Sequence, residues 1–264
     1  MPEGHKLHRL ARDHGRLLKG RTLRVRSPQG RFAAEAERLD GRRLDDVFAR
    51  GKHLFYRLDG EDAWHVHLGL YGKFRPFKGD EPEPRGQVRA AVASDAGGFH
   101  LVGPNQCELL GEAAVEALLA RLGPDPLVKS DTADRMVEKV GRSRVAIGAL
   151  LLDQSVVAGV GNIYRADVLF LEGVHPATPG RDVPEERVRS MWDRLRAMMK
   201  LGVKYDRIIT ADPADFGKSP GRLTADERLL IYKAPRCPRC GTETETLQIA
   251  ARRIDACPRC QPRG

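Results

Sequence analysis

The stretch Asp153-Gln-Ser-Val-Val-Ala-Gly-Val-Gly-Asn-Ile-Tyr-Arg165 interrupts a helical pattern that otherwise runs over residues 134–200. Apolar positions recur at helical spacing on both sides of it, and a second break falls at Gly173–Pro184. Gly159-Val-Gly161 allows another group to come close to the backbone, and Asn162 stands where the next helix starts. A helix N-terminus favours anions, so Asn162 can cap its helix, bind a phosphate or do both. Further on, Glu185–Lys200 carries Val188, Met191, Trp192, Leu195 and Met198–Met199, a core-packing pattern with no site.

On the N-terminal side, Glu112–Arg121 reads as a helix that Gly123-Pro-Asp-Pro126 stops, and a linker follows at 123–133. Residues 5–18 also have helical spacing (Leu7, Leu10, Ala11, Leu17, Leu18). Between these helices, residues 21–110 read mainly as strands: Leu23–Val25, Val47–Phe48, His53–Leu58, Trp64–Leu68, Val88–Val92 and Phe99–Val102, separated by Gly, Asp and Pro clusters. That pattern predicts a β-sandwich or barrel. Residues 76–87 read as a polar surface loop and 202–222 as a flexible one, with no internal repeat.

Two pairs, Cys237-Pro-Arg-Cys240 and Cys257-Pro-Arg-Cys260, give the spacing C-x2-C-x16-C-x2-C. Four thiolates so spaced can close a tetrahedral site with no open position, which predicts one structural Zn2+. Thr242–Ile249 and Arg253–Ala256 between the pairs predict a β-hairpin with Arg252 and Arg253 near its turn. A module this small depends on the metal for its stability. The fifth cysteine, Cys107, reads as a small buried thiol.

With 264 residues, 41% of them apolar, the chain can bury a sizeable core in one large or two ordinary domains plus this module. No apolar run approaches the roughly 20 residues needed to cross a bilayer, and the charged N-terminus does not read as a signal peptide. The expectation is a soluble, cytoplasmic protein with no membrane partner. The net charge is +9: residues 1–60 carry +7, residues 231–264 carry +4 and the middle carries −2. Positive charge concentrated at both ends points to a polyanion such as nucleic acid.

Met1-Pro2-Glu3-Gly4-His5 opens the chain. Removal of Met1 would expose the secondary amine of Pro2. An α-amino group titrates near 7.7–8, against about 10.4 for lysine, so much more of it is free base at neutral pH. Such an amine can attack a sugar C1′ and form an iminium, an electron sink that permits elimination. Glu3 beside it can serve as general acid or base.

These pieces together resemble the Fpg/Nei family of bifunctional DNA glycosylases over nearly the whole chain, on the side of the endonuclease VIII (Nei) branch of actinobacterial type. Five segments carry the resemblance in order: Pro2-Glu3-Gly4; Gly51-Lys52-His-Leu-Phe; His67-Leu-Gly-Leu-Tyr-Gly72; Asp153–Arg165, which resembles the helix–two-turn–helix signature; and the cysteine module ending Cys257-Pro-Arg-Cys-Gln261. The resemblance implies a multi-domain α+β fold. Its N-terminal helix and catalytic β-sandwich would span 1–122 and the linker 123–133. The helix–two-turn–helix domain would span 134–230 and the zinc finger 231–264, with DNA in the cleft between two lobes.

It also implies the roles. Pro2 is the Schiff-base nucleophile, Glu3 moves protons, and Lys52 contacts a phosphate and assists as an acid. Leu70 and Tyr71 form the wedge that fills the gap left by an extruded nucleotide. Asn162 and Arg121 contact DNA, as would Arg253. Arg252, five residues before Cys257, matches the finger arginine that supports the second elimination, and Arg253 is its rival because Ile254-Asp-Ala256 lacks the aromatics usual there. The implied partner is damaged double-stranded DNA, with single-stranded or bubble DNA as further candidates, bound by a monomer in the bacterial nucleoid.

Some departures bear on substrate. Residues 202–222 lack the lesion-capping motif of the oxoguanine branch, and His5-Lys-Leu-His8 replaces that branch's usual start, so both favour oxidised pyrimidines. Gly69 stands where a polar wedge residue often occurs. Two other readings compete with the enzyme: a non-catalytic structure-specific DNA binder, which would follow from a retained Met1, and a zinc-ribbon transcription or RNA-processing factor with an incidental N-terminus.

Overall fold

The computed structural model describes residues 2–60 and 62–263. Met1, whose removal the nucleophile reading requires, lies outside the described residues. The chain forms two compact units, one of Leu7–Ala120 with Pro2, the other of Arg121 onward together with Glu3–Lys6.

Helix α1 (Gly4–Leu18) belongs to the first unit from Leu7 on, where it turns Leu7, Leu10, Ala11 and Leu18 inward. Eight strands follow: β1 (Arg24–Arg26), β2 (Leu44–Arg50), β3 (His53–Leu58), β4 (Asp62–His67), β5 (Lys73–Phe77), β6 (Val88–Ser94), β7 (Gly97–Val102) and β8 (Gln106–Gly111). They make two antiparallel four-stranded sheets, ordered β1-β6-β7-β5 and β2-β3-β4-β8. The period-2 alternation decides what is buried where. Leu54, Tyr56, Trp64 and Val66 of the second sheet join Val92, Phe99 and Leu101 of the first in one core. Tyr56 stacks on Trp64 with ring centroids 4.6 Å apart.

Helix α3 (Glu112–Arg121) has the predicted bounds, and three features of the first unit differ from the sequence reading. Helix α2 (Ala33–Leu39) lies inside the region read as strands and buries Ala36 and Leu39. Strand β5 takes Pro76 and Phe77 from the expected loop, and its residue Pro76 pairs opposite Phe99 at the edge of the sheet, where a missing N–H is tolerated. Cys107 is half-buried rather than buried. It accepts a hydrogen bond from Trp64 Nε1 at 3.4 Å, and burial pushes its thiol up to about 12.

In the second unit, α4 (Asp134–Gly141), α5 (Ile147–Leu150), α6 (Asn162–Leu171) and α7 (Glu185–Tyr205) share one core that includes Met136, Ile147, Tyr164, Leu169, Trp192 and Met199. The breaks on either side of α6 cover those the sequence places at Ser155–Gly161 and Gly173–Pro184, and a third, at 142–146 between α4 and α5, was not expected. Beyond α7 the first half of the expected flexible loop 202–222, as far as Ala211, is instead anchored, while 212–222 is mostly exposed. The helix runs on to Tyr205, and Ile208, Ile209 and Ala211 are buried. The cause is Asp167 on α6, fully buried, which no local pattern reveals. Its carboxylate accepts the Thr210 hydroxyl at 2.5 Å and the backbone N–H groups of Leu230, Ile231 and Tyr232 at 3.1, 2.9 and 3.0 Å. A hairpin of β9 (Glu245–Ile249) and β10 (Arg252–Ala256) ends the unit.

Replacing Asp167 with Ala strands three backbone N–H groups, each costing roughly 1–3 kcal/mol when buried and unpaired. We expect Asp167→Ala to lower the urea midpoint markedly, by roughly 3 kcal/mol of stability or more, and Asp167→Asn, which keeps an acceptor, to cost clearly less. Equal losses for the two variants would contradict the clamp.

Candidate functional site

Glu3 is fully buried, and its carboxylate is held against the start of α6. The Gly161 N–H donates to Oε2 at 2.7 Å and the Ile163 N–H to Oε1 at 2.9 Å. Helix N-termini leave N–H groups unpaired and carry partial positive charge, so a carboxylate satisfies both. The glycines permit this approach: a Cβ on Gly161 would lie 2.5 Å from Glu3 Cδ, and one on Gly4 would lie 2.7 Å from Gly159 Cα. The Gly4 N–H donates to Gly159 O at 2.8 Å, which fastens the first turn of α1 to the same loop. Gln154 braces that loop from within, donating to Leu152 O and Val160 O and accepting from the Gly159 N–H. The anion position expected for a phosphate is therefore taken by the protein's own Glu3. Asn162 does not cap its helix either; its Oδ1 accepts from Arg165 at 2.9 Å.

Arg165 was quoted in the sequence only as the end of a motif, and in the structure it is a hub. It is fully buried and donates to Asn162 Oδ1, Gly148 O, Ile249 O and Arg253 O at 2.9, 2.9, 3.4 and 3.1 Å. Burial lowers its guanidinium to about 10, with Glu3 opposing that shift. One planar fork thus connects the α6 start to both strands of the hairpin, on either side of its turn. A charged residue amid the apolar run of α6 was the available signal, but its partners at 249 and 253 are far away in sequence.

The hairpin separates the two finger candidates. Arg252 is exposed and makes no side-chain hydrogen bond or ion pair among the described residues. Arg253 is committed to buried Asp255, with Nε at 2.9 Å and a terminal nitrogen at 2.8 Å from Oδ1. The turn just before Arg252 is Ala250-Ala251, with φ of 53° and 54°. Two consecutive left-handed residues suit a tight hairpin, where Asn-Gly is the usual choice.

The four cysteines stand where the spacing requires. Their Sγ atoms all lie within 4.8 Å of one another, with Cys237–Cys260 at 3.8 Å and Cys240–Cys257 at 3.6 Å. Four sulfurs about 2.3 Å from a central ion sit about 3.8 Å apart on a tetrahedron, so the donor set fits zinc. His175 and Arg263 hold Glu245 at the base of β9, at 2.9 and 3.1 Å.

The other expected residues lie in the first unit, apart from Arg121, which closes α3 and is exposed. Pro2 is half-buried. Lys52 shares the two-residue turn between β2 and β3 with Gly51, whose φ is 58°. Leu70 and Tyr71 project from the β4–β5 turn with 46% and 85% of their surface exposed, so they are not core residues. That turn is tight: the Gly72 N–H donates to Leu68 O at 3.0 Å, and Gly69 has φ of 64°.

A β-sandwich unit with an exposed Leu70-Tyr71 turn, followed by a helical unit with a four-cysteine hairpin, is the architecture of a two-unit DNA glycosylase. The formamidopyrimidine-DNA glycosylase N-terminal domain matches residues 1–104, and the formamidopyrimidine-DNA glycosylase H2TH domain matches residues 122–213. The chain is 42% identical to Endonuclease 8 1 of Mycobacterium tuberculosis, over 99% of this chain and all of that protein. It is 31% identical to the formamidopyrimidine-DNA glycosylase of Thermus thermophilus over the full length of both. Its fold matches a Lactococcus lactis Fpg solved in complex with N7-benzyl-Fapy-dG-containing DNA, with a TM-score of 0.83, 23% identity and coverage of 99% and 100% of the two chains. The chain belongs to the formamidopyrimidine-DNA glycosylase family.

Ala251→Gly removes a Cβ strained by about 1–2 kcal/mol in the left-handed region, against a loss of about 0.5–1 kcal/mol in backbone entropy. We expect the variant to be more stable by about 0.5–1 kcal/mol, read as slower proteolysis of the hairpin and a raised thermal midpoint.

Proposed function

We propose that this chain excises oxidised bases from DNA through a Pro2 Schiff base and then nicks the strand. As a family member it is a base-excision-repair glycosylase, and strand cleavage is typical of the family. The observation that carries the residue-level reading is Glu3 held at the start of α6, in the unit that also presents Asn162 and Arg252. With Met1 removed, the Pro2 nitrogen bonds to C1′ as the N-glycosidic bond breaks, and the departing base takes up a proton. The amine gives up its proton and the C1′–O4′ bond opens, O4′ leaving as a hydroxyl, so that C1′ and the nitrogen form an iminium that acidifies C2′. Loss of a C2′ proton expels the 3′ phosphate, and a second elimination expels the 5′ phosphate.

Glu3 would accept and return these protons. Lys52, Arg121 and Asn162 would hold phosphates, Leu70 and Tyr71 would fill the vacated stack, and Arg252 would assist the second elimination. Arg253 serves the hairpin through Asp255. The higher identity to Endonuclease 8 1 than to the formamidopyrimidine-DNA glycosylase of Thermus thermophilus favours oxidised pyrimidines over 8-oxoguanine. Duplex DNA is the proposed substrate form and the monomer the acting species. One zinc ion held by Cys237, Cys240, Cys257 and Cys260 would stabilise the hairpin and take no part in the chemistry. Among the described residues no helix is long and apolar enough to cross a membrane.

Borohydride trapping tests this reading. Protein shown by mass to begin at Pro2 should form a covalent band with abasic and oxidised-pyrimidine duplexes, and more weakly with single-stranded or bubble versions. Pro2→Ala should abolish the band, and trapping by that variant would refute the nucleophile assignment. Arg252→Ala should leave β-elimination product in place of the doubly cleaved one, whereas Arg253→Ala should act through stability. For the metal, elemental analysis should return one zinc per chain, and chelation should lower the melting temperature while the first unit keeps its β signal.

A further inference from the structure

Strand β5 begins directly at the turn that carries Leu70 and Tyr71. Its residues alternate between the two faces of the first sheet, so Phe74 packs against the core while Lys73, Arg75 and Phe77 share the outer face. They stand opposite Val102, His100 and Gly98 of β7. In the strand order β1-β6-β7-β5, β5 is one edge of the sheet and β1 is the other. The turn fixes where β5 starts. A Cβ on Gly72 would strike Leu68 O, so the chain folds tightly back on itself there, with Tyr71 on one side of the glycine and Lys73 on the other.

The two edges differ in what meets their charge. On β1, Arg26 is paired with Glu81 Oε1 at 2.8 Å, and His100 Nε2 lies 3.0 Å from the same oxygen. Elsewhere on the unit, Arg21 is paired with Asp95 and Arg42 with Asp59. On β5, Lys73 is exposed and has no hydrogen bond or ion pair among the described residues. Arg75 is exposed and donates one N–H to Arg85 O at 2.8 Å, which steadies the guanidinium at the edge and leaves most of its five donors for another group. Neither cation is met by an acid. Positions i and i+2 of a strand are about 6.6 Å apart and point the same way. Two long cationic side chains so placed reach two neighbouring phosphates of one DNA strand, and the arginine fork takes two oxygens of one of them. Charge on an open strand edge also guards against edge-to-edge pairing. Position favours DNA: the row starts two residues after Tyr71, where a wedge would enter the duplex.

We propose that Lys73 and Arg75 form a phosphate clamp that holds two neighbouring phosphodiesters of the DNA strand passing beside the Leu70-Tyr71 turn. Lys73 supplies a point charge and Arg75 a directed fork, and together they set the step at which the turn enters the duplex. The inference rests on the reading of Leu70 and Tyr71 as the wedge.

The test uses full-length protein and a duplex holding a tetrahydrofuran abasic analogue, with binding read by anisotropy as salt rises from about 50 to about 200 mM. Each phosphate contact contributes about 0.9 to the slope of log K against log salt. Lys73→Gln and Arg75→Gln should each flatten the slope by about 0.9 and the double variant by about 1.8, with binding at least about tenfold weaker at about 0.1 M salt. Arg24→Gln is the control. It removes a charge from the same face at the other edge, three strand spacings or about 14 Å away and beyond the roughly 10 Å screening length, so its slope should match wild type. Lys73 has no partner to lose, so its variant should keep the fold, which its thermal midpoint checks. Arg75→Lys, which keeps the charge without the fork, should keep the slope and bind more weakly. Neutral methylphosphonates placed one at a time should weaken wild type at two adjacent positions beside the analogue, and the double variant should be indifferent to both. A double variant with the wild-type slope, as a guard of the strand edge alone predicts, overturns the clamp, and so does a double variant still sensitive at both positions. If wild type traps abasic DNA yet shows either result, the clamp fails alone; if wild type traps nothing, the glycosylase reading falls and the clamp with it.

Discussion

The carboxylate of Glu3 on the N–H groups of Gly161 and Ile163 is the interaction on which the second unit's arrangement depends. It carries residues from the start of the chain into a unit otherwise built from Arg121 onward. The contact is strong because several terms coincide. The helix start supplies unpaired donors and a favourable potential, and burial removes competing water. It also explains the glycines. Gly4, Gly159 and Gly161 together clear the space through which two backbones meet, and a methyl group at Gly4 or Gly161 would collide with its neighbour. A residue placed this way has little freedom to wander.

Helix α6 carries that contact and two more buried charges. Arg165 faces the hairpin and Asp167 faces the segment 208–232, so one helix fixes both the finger and the chain that leads into it. Burying ions is costly, and apolar substitutes of equal volume often serve stability better. What the charges provide here is geometry. Asp167 accepts four hydrogen bonds from groups 43 to 65 residues away, and Arg165 reaches carbonyls 84 and 88 residues away besides Asn162 and Gly148; backbone groups so engaged have one arrangement. The hairpin turn beside Arg252 shows the same preference for position over ease, since two alanines occupy the left-handed region there.

Much of the fold was legible because it is written in short-range patterns. Helix α1, helix α3, strand β3, the breaks around α6 and the hairpin between the cysteine pairs all appear as local periodicity or spacing. The Leu70-Tyr71 turn and Lys52 were singled out through motif resemblance; the turn is exposed and Lys52 half-buried. Helix α2 was not, because seven residues with two buried positions make too little period to stand out among strands. Strand β5 was hidden by Pro76, which reads as a loop residue unless the strand is known to lie at an edge. The segment after α7 looked loose because its composition is loose, and its anchor is a single carboxylate 43 residues earlier.

The sequence by itself determined which residues are able to do chemistry. The secondary amine, the carboxylate beside it, four thiols at metal spacing and an arginine at the hairpin turn are chemical identities, and spacing alone is enough to reveal them. Only the tertiary structure decided what those groups do with one another. It gave the helix start at Gly161 to Glu3 and not to an outside phosphate. It turned Asn162 toward Arg165 and committed Arg253 to Asp255 while leaving Arg252 exposed. The contact of Glu3 with Gly161 joins distant residues, and the local pairs Asn162–Arg165 and Arg253–Asp255 are chosen by what packs around them. Such pairings are settled by close packing and by the need to satisfy each buried polar group, and neither is expressed in the local order of the chain.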